Sequence, residues 1–329
     1  DKTTKYETLA DAVAAVTDNT PTTIVMIANE EVGGKTGVVI PKNKEITLDI
    51  AGNNITGNFD NKGACALITN NGKLTIKDSS SATEDGYGTG KICSGAADPG
   101  MWQEKNYATN VILNNGTLNI VSGYLENTSA PSNISYVVDN SSNGVDTALN
   151  ISGGKLVNTY CDVVRMFCNS TTKQNNVTIT GGELTSNNGA AVWMQLTSNN
   201  YQKLANLSVS DNAKLESTAG GHAIDISTWG DTFEKVVVSI TGGEVKGGID
   251  MLRYNNSVAK DYALTGISIS GGKTSLVDAT NTIAASKFIT AGYFNEDVTE
   301  YVADGYKCIP DTTWSPDYNY IVVPCDYVA

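Results

Sequence analysis

The chain has 329 residues, with 35 acidic against 22 basic side chains and a net charge of −13. This acidic balance argues against nucleic acid and anionic membrane surfaces as partners, because both require basic patches. No stretch approaches the roughly 18 consecutive apolar residues of a membrane-spanning helix, so we expect no membrane insertion.

The N-terminal region predicts a short amphipathic helix. Residues 6–16 read YETLADAVAAV, with Leu9, Val13 and Val16 at helical spacing and Thr8 placed as the N-cap. Residues 22–29 and 37–57 then alternate as β-strands do. We expect the helix to lie over the first of these strands and to cover an exposed end of the core.

One short phrase recurs through the rest of the chain. It consists of alternating apolar residues, a Ser/Thr-Gly-Gly bend and a second short apolar step, as in LNISGGKLVN (149–158) and VTITGGELTS (177–186). The second apolar residue of each copy falls at Ile76, Ile120, Ile151, Ile179, Val209, Ile240, Ile269 and Ile289. Most of these positions are 28 to 31 residues apart, and a period near 30 indicates a repeat architecture.

Each repeat predicts three short strands separated by bends. The phrase supplies two strands, and a third, such as AAVWMQL (190–196), follows about ten residues later. A β-propeller would need four strands per unit, and a leucine-rich repeat would need regular Leu and a helix. We therefore predict an all-β fold, a right-handed parallel β-helix, in which stacked coils bury one continuous core and Asn side chains at the bends bond along the axis.

We predict a single domain over residues 1–329. It comprises an N-terminal cap (1–36), coils (37–294) and a C-terminal capping hairpin (295–329). The last segment is rich in aromatic residues, which we interpret as a plug over the final coil. Cys308 and Cys325 bracket this hairpin, and their spacing is consistent with either a disulfide or two free thiols.

The third strands place the least ordinary residues of the chain in one outward column. Aligning them stacks Asp139, Arg165, Trp193, Asp225 and Asp250. Further along, the alignment continues the column with Cys168, Leu196, Thr228 and Arg253, followed by Trp229 and Tyr254. The chain has only two arginines, and both fall on this strip.

An aromatic ring flanked by charged groups suits a saccharide, because the ring stacks on C–H faces and the charges bond hydroxyls or uronates. We therefore predict ligand-binding roles for Asp139, Arg165, Trp193, Trp229, Arg253 and Tyr254. The alternative is an ordinary solvated surface on which Arg165 pairs with Asp139.

Asp225 and Asp250 are the candidate catalytic pair if the protein is an enzyme. Their Cα atoms should lie about 5 Å apart on adjacent strands, which suits a retaining glycoside hydrolase. The same carboxylates could hold Ca²⁺; otherwise we predict no metal site and no cofactor. A lyase would need several Asp ligands and a base on one face, and Arg165 lies about two coils from Asp225.

The chain resembles the pectin-lyase-like β-helix modules of large surface proteins of gut bacteria. The resemblance rests on the N-terminal helix, on VVIPKNKEITLDIAGNNIT (38–56), on the Ser-Gly-Gly coils and on AGYFNEDVTEYVADGYKCI (291–309). It implies a secreted or cell-surface location within a larger surface protein. Separately, the abrupt start at Asp1 leads us to expect a trimmed, mature chain. Relatives of such modules include polysaccharide lyases, glycoside hydrolases and phage tailspikes.

The sequence therefore leads to three functional hypotheses. The first is an adhesin-like module that binds extended carbohydrate or a host surface glycan. The second is a polysaccharide lyase or glycoside hydrolase that uses the paired aspartates. The third is a structural stalk that binds nothing.

Overall fold

The structure is a computed structural model that describes residues 3–34, 37–59, 65–80, 87–95, 109–129, 135–197, 204–219, 221–228, 237–253, 266–275 and 287–328. These residues form one short helix, α1 (Leu9–Ala14), and a long series of strands. In chain order the strands are β1 (Thr22–Val25), β2 (Glu30–Gly34), β3 (Val38–Ile40), β4 (Glu45–Asp49), β5 (Asn54–Phe59), β6 (Cys65–Asn70), β7 (Lys73–Lys77), β8 (Lys91–Ser94), β9 (Thr109–Asn114), β10 (Thr117–Ile120), β11 (Tyr124–Asn127), β12 (Val138–Ser141) and β13 (Thr147–Asn158). They continue as β14 (Val164–Cys168), β15 (Asn175–Ser186), β16 (Val192–Leu196), β17 (Ala205–Val209), β18 (Lys214–Ser217), β19 (Ile224–Thr228), β20 (Val237–Ile240), β21 (Glu244–Lys246), β22 (Ile249–Arg253), β23 (Ile267–Thr274), β24 (Ile289–Phe294), β25 (Tyr306–Pro310) and β26 (Tyr320–Pro324).

The strands wind as a parallel β-helix. An eight-stranded sheet, which we call sheet B, stacks β3, β6, β9, β12, β14, β16, β19 and β22 in parallel. The remaining strands form an 18-stranded sheet, sheet A. Sheet A covers two sides of the coil, because β13 and β15 run through the Gly-Gly bend as single long strands. The predicted fold class is confirmed.

The interior carries the predicted aliphatic column. The eight residues of the repeat phrase pair one above the next in unbroken register, from Ile76 at one end to Ile289 at the other. Each is at most 1% exposed. No coil could bury this surface alone, so the core belongs to the stack.

The two glycines of each bend have different roles. A side chain at Gly181 would place its Cβ 2.4 Å from the carbonyl oxygen of Ser152, so the first glycine allows two coils to approach closely. Gly182 has a φ of +82°, which residues with a side chain rarely adopt. The sequence Gly-Gly is thus required by contact at one position and by conformation at the next.

A second internal column is polar. Asn70 Nδ2 donates to Asn114 Oδ1 (2.8 Å), Asn114 Nδ2 to Asn140 Oδ1 (2.6 Å), and Asn140 Nδ2 to Asn175 Oδ1 (2.7 Å). All four side chains are fully buried. The predicted bonding of Asn along the axis is confirmed, and it lies inside the coil at the corner between the two sheets.

Both ends of the stack carry the expected caps. Thr8 Oγ1 accepts a hydrogen bond from the backbone N–H of Asp11, and α1 buries Leu9 and Val13. At the other end β24, β26 and β25 pair antiparallel, which ends the parallel stack. β1 and β2 precede residue 37 and already pair in parallel with β4 and β5.

The aromatic plug is smaller than predicted. Tyr301 and Tyr318 are buried, whereas Trp314 is 51% exposed and Tyr306 is 37% exposed. All six cysteines are free thiols. Cys308 lies opposite Val322 in the hairpin register, so the disulfide with Cys325 considered above does not form.

Candidate functional site

The outward column predicted on sheet B is present with the predicted register. Asp139 pairs with Arg165, Arg165 with Trp193, Trp193 with Asp225, and Asp225 with Asp250. We call these five residues the sheet B column. They lie on β12, β14, β16, β19 and β22, so adjacent members are one strand spacing apart, about 4.8 Å.

Alternation along each strand sets the direction of these side chains. On β16 the flanking Val192 and Met194 are fully buried, and the same holds for Val164 and Met166 on β14. Side chains alternate between the two faces of a strand, so the residue between two buried neighbours faces outward.

The first two members form a partly buried ion pair. Arg165 donates through Nε to Asp139 Oδ1 (3.0 Å) and through Nη2 to Asp139 Oδ2 (2.6 Å). The guanidinium lies between the rings of Tyr136 and Phe167, at 4.7 and 4.8 Å from their centroids. Its Nη1 also donates to Gln195 at 3.4 Å. Arg165 is therefore held rigidly, and most of its charge is neutralised.

Trp193 is fixed in the middle of the column. Its indole N–H donates to Ser227 Oγ on the next coil at 2.5 Å. Its ring also contacts Tyr136, with the centroids 6.1 Å apart and the planes tilted by 40°. The residue is only partly buried, so part of it remains accessible to solvent.

Asp225 is the most perturbed acid of the column. Burial, together with the nearby carboxylates of Asp162 and Asp250, raises the pKa of Asp225 to about 7. Its Oδ1 is buried and has no hydrogen-bond partner among the residues that the structure describes. The protonated form is therefore substantially populated at neutral pH.

Two further groups lie beside the acids of the column, His222 next to Asp250 and Asp162 near Asp225, and were not singled out from the sequence as ligand contacts. His222 Nδ1 lies 3.6 Å from Asp250 Oδ2. Burial raises the pKa of Asp162, while a hydrogen bond from the Ala190 backbone N–H to its Oδ1 (2.8 Å) works in the opposite direction. Asp162 lies three positions before Arg165, and His222 lies three positions before Asp225, in each case just before a sheet B strand begins. This shared spacing is the sequence signal by which they could have been predicted.

The second row of the predicted strip is wrong. Phe167, Gln195 and Ser227 are the residues two positions beyond the column and lie opposite one another. The predicted row is one residue out of step with this one, and its members Cys168, Leu196 and Thr228 are fully buried. The error arose because its members follow the column by three positions, and an odd step changes the face of a strand.

The remaining predicted ligand residues are only partly covered by the structure. Arg253 takes the register position opposite Thr228, in the row that the prediction had placed outward. Trp229 and Tyr254 lie outside the described residues. Asp139, Arg165, Trp193, Asp225 and Asp250 are thus the predicted set that the register brings together.

A row of alternating charges on sheet A, which we call the charged ladder, was not predicted from the sequence. The charge of the residue after each bend alternates in sign through five coils, and these residues pair in register. The series is Lys155, Glu183, Lys214, Glu244 and Lys273. Glu183 contacts Lys155 at 4.0 Å and Lys214 at 2.8 Å. The signal was visible as SGGK, TGGE and NAKL in successive repeats.

Within the described part of the chain, no group of three or more His, Cys, Asp or Glu side chains is arranged to hold a metal ion. In the same residues, no helix has the length and apolar character needed to cross a membrane. No protein-family model, curated protein or solved structure matches this chain.

Proposed function

We propose that this β-helix binds an extended carbohydrate along the sheet B column, with Trp193 as the stacking platform. The observation that carries the proposal is the fixed Trp193 ring, which Ser227 and Tyr136 hold in the middle of a column of charged side chains.

A ring that is already immobilised favours binding. Stacking of a sugar on an indole buries apolar surface on both partners. The cost of ordering a flexible aromatic side chain is avoided, because the ring is held before the ligand arrives. A linear chain of sugars lying across the strands would meet the polar groups of neighbouring coils in succession.

The neighbours of Trp193 supply the polar contacts that a sugar needs. Gln195 and Asp250 lie on the outer surface and can bond hydroxyl groups, and Asp225 can donate when it is protonated. Arg165 and Asp139 bond each other, so we assign them to the support of this surface rather than to direct ligand contact.

The setting that we propose is extracellular. The resemblance to pectin-lyase-like modules supports a secreted or cell-surface, adhesin-like role within a larger surface protein. The acidic composition is compatible with such a setting, because it favours solubility.

The test begins with a glycan and polysaccharide array on the wild-type protein, followed by calorimetry on the best ligand. Trp193→Ala should weaken binding by about tenfold or more, because aromatic anchors typically contribute 1–2 kcal/mol or more. Trp193→Phe should retain part of the affinity. Trp314→Ala is the matched control, since Trp314 is an exposed tryptophan at the far end of the stack.

Equal loss of affinity in Trp193→Ala and Trp314→Ala would contradict the proposed platform. If the wild-type protein binds no glycan on the array, the stalk hypothesis replaces the binding hypothesis.

The elevated pKa of Asp225 favours a second candidate function, polysaccharide cleavage. A protonated carboxyl beside a second carboxylate is the arrangement that retaining glycoside hydrolases use, one as acid and the other as nucleophile. Asp225 and Asp250 occupy these positions on adjacent strands. In this case Asp225→Asn should abolish turnover while Trp193→Ala mainly raises KM. Binding without release of reducing ends would favour the first proposal.

A further inference from the structure

A groove opens at the N-terminal end of the stack, remote from the sheet B column. It has a volume of about 630 Å³ and lies between α1, the segment 3–8 and the chain from Thr22 to Glu30. This volume falls within the usual range of ligand pockets.

The floor of the groove is an open sheet edge. In the described residues β1 pairs only with β4, in parallel. The backbone N–H of Met26 donates to Asp49 toward β4. Backbone groups of successive strand residues point to opposite edges, so Thr23 and Val25 direct their N–H and C=O groups toward the groove.

The strand at this edge carries no charged side chain, no proline and no bulge. Native edges are blunted by charged side chains, by proline within the strand or by a bulge. The run from Thr22 to Ala28 contains no charged residue, and Val25 and Ile27 are 51% and 68% exposed. An apolar edge of this kind is suited to pairing with another strand.

The surroundings select the type of strand. Four charged residues line the groove, one basic (Lys5) and three acidic (Glu7, Asp18 and Glu30). A strand with basic flanks therefore matches the groove electrostatically. The same edge of a second copy would bring its own helix and N-terminal segment into the groove. A single extended peptide has no such additions and fits between α1, segment 3–8 and β1.

We propose that this groove binds an extended peptide that adds a strand to β1, with alternating apolar side chains and basic residues at its ends. Backbone hydrogen bonds to Thr23 and Val25 would provide affinity, and contact with Val25 and Ile27 would provide selectivity. This inference does not depend on carbohydrate binding.

The test uses the end-blocked, fluorescently labelled peptide KTVTVTK and fluorescence anisotropy with the whole chain. Wild-type protein should bind it, and Val25→Lys should weaken binding by about tenfold or more. Val121→Lys is the matched control, because Val121 is 47% exposed on another coil, and it should leave binding unchanged. The peptide methylated on alternate backbone nitrogens should also bind about tenfold more weakly, since it cannot donate those bonds.

Three outcomes would overturn the proposal. The first is no binding of KTVTVTK up to about 1 mM, and the second is equal binding of the methylated peptide. The third is wild-type self-association in sedimentation that Val25→Lys removes, which would identify a second copy as the occupant. The charge-reversed peptide ETVTVTE should bind more weakly than KTVTVTK, and equal affinity would refute the predicted basic flanks.

Discussion

The buried Asn column gives a prediction whose magnitude follows from its geometry. Asn114 uses every polar atom of its amide: Nδ2 donates to Asn140 Oδ1 and to the Ala148 carbonyl, and Oδ1 accepts from Asn70 Nδ2 and from the Gly116 N–H. The side chain is fully buried, so water does not compete for these bonds. Asn114→Ala removes all of them at once.

The expected loss comes from the groups left behind. Asn70 Nδ2 keeps a second acceptor, the Thr117 carbonyl. Asn140 Oδ1 and the Gly116 N–H lose the partner they have here, and each unsatisfied buried group costs about 1–3 kcal/mol. We therefore expect Asn114→Ala to lower the free energy of unfolding by about 2–6 kcal/mol.

Asn119→Ala is the matched control. Asn119 also bonds along the axis, to Thr75 and Asn150, but on the outer surface where water can replace the lost partners. We expect it to cost less than about 1 kcal/mol. Urea unfolding followed by far-ultraviolet circular dichroism compares the two variants, provided that their m-values agree. An equal loss of unfolding free energy in both variants would refute the reasoning that burial increases the cost of removing an Asn from the column.

Three further predictions concern the column acid, the ladder and the cap. Folded Asp225 keeps its proton up to about pH 7, whereas an unfolded Asp loses it near the ordinary value of 3.8. The folded state therefore binds more protons in this window, and stability should fall as pH rises through it, by up to about 4 kcal/mol. Asp225→Asn should flatten the dependence of the urea midpoint on pH between 4 and 8, and an unchanged slope would contradict the assignment. Glu183→Lys sets three like charges in a row with Lys155 and Lys214, and should cost about 1 kcal/mol in low salt, largely recovered in high salt; salt-independent melting would count against the ladder. Leu9→Asp places a charge under the cap helix and should cause aggregation visible by size-exclusion chromatography, whereas a monomer of unchanged stability would show that the helix covers nothing essential.

Most of the fold could be predicted from the sequence, because each coil repeats the same physical requirements. The spacing of Ile151 and Ile179 predicted an internal column, and Gly-Gly predicted a sharp bend. The close approach of neighbouring coils at the first glycine emerged only from the structure. The Thr8 cap followed from a polar residue before an apolar helical face. These features depend on local pattern and on one repeated step, so they can be read without knowing the path between coils.

The site was predictable in part. Register along the axis follows from the repeat, so the order from Asp139 to Asp250 was correct. The Arg165 stacking between Tyr136 and Phe167 depends on side-chain direction, which spacing does not contain. The buried second row failed because a step of three was counted where the strand period is two.

The alternating ladder on sheet A also restricts how this molecule can lengthen over evolutionary time. Duplicating a single coil would place two lysines or two glutamates side by side in the series from Lys155 to Lys273. Duplicating two coils at once would preserve every opposite-sign neighbour. A pair of coils is therefore the smallest duplication that keeps the charges alternating, and we expect related chains of different length to differ here by even numbers of turns.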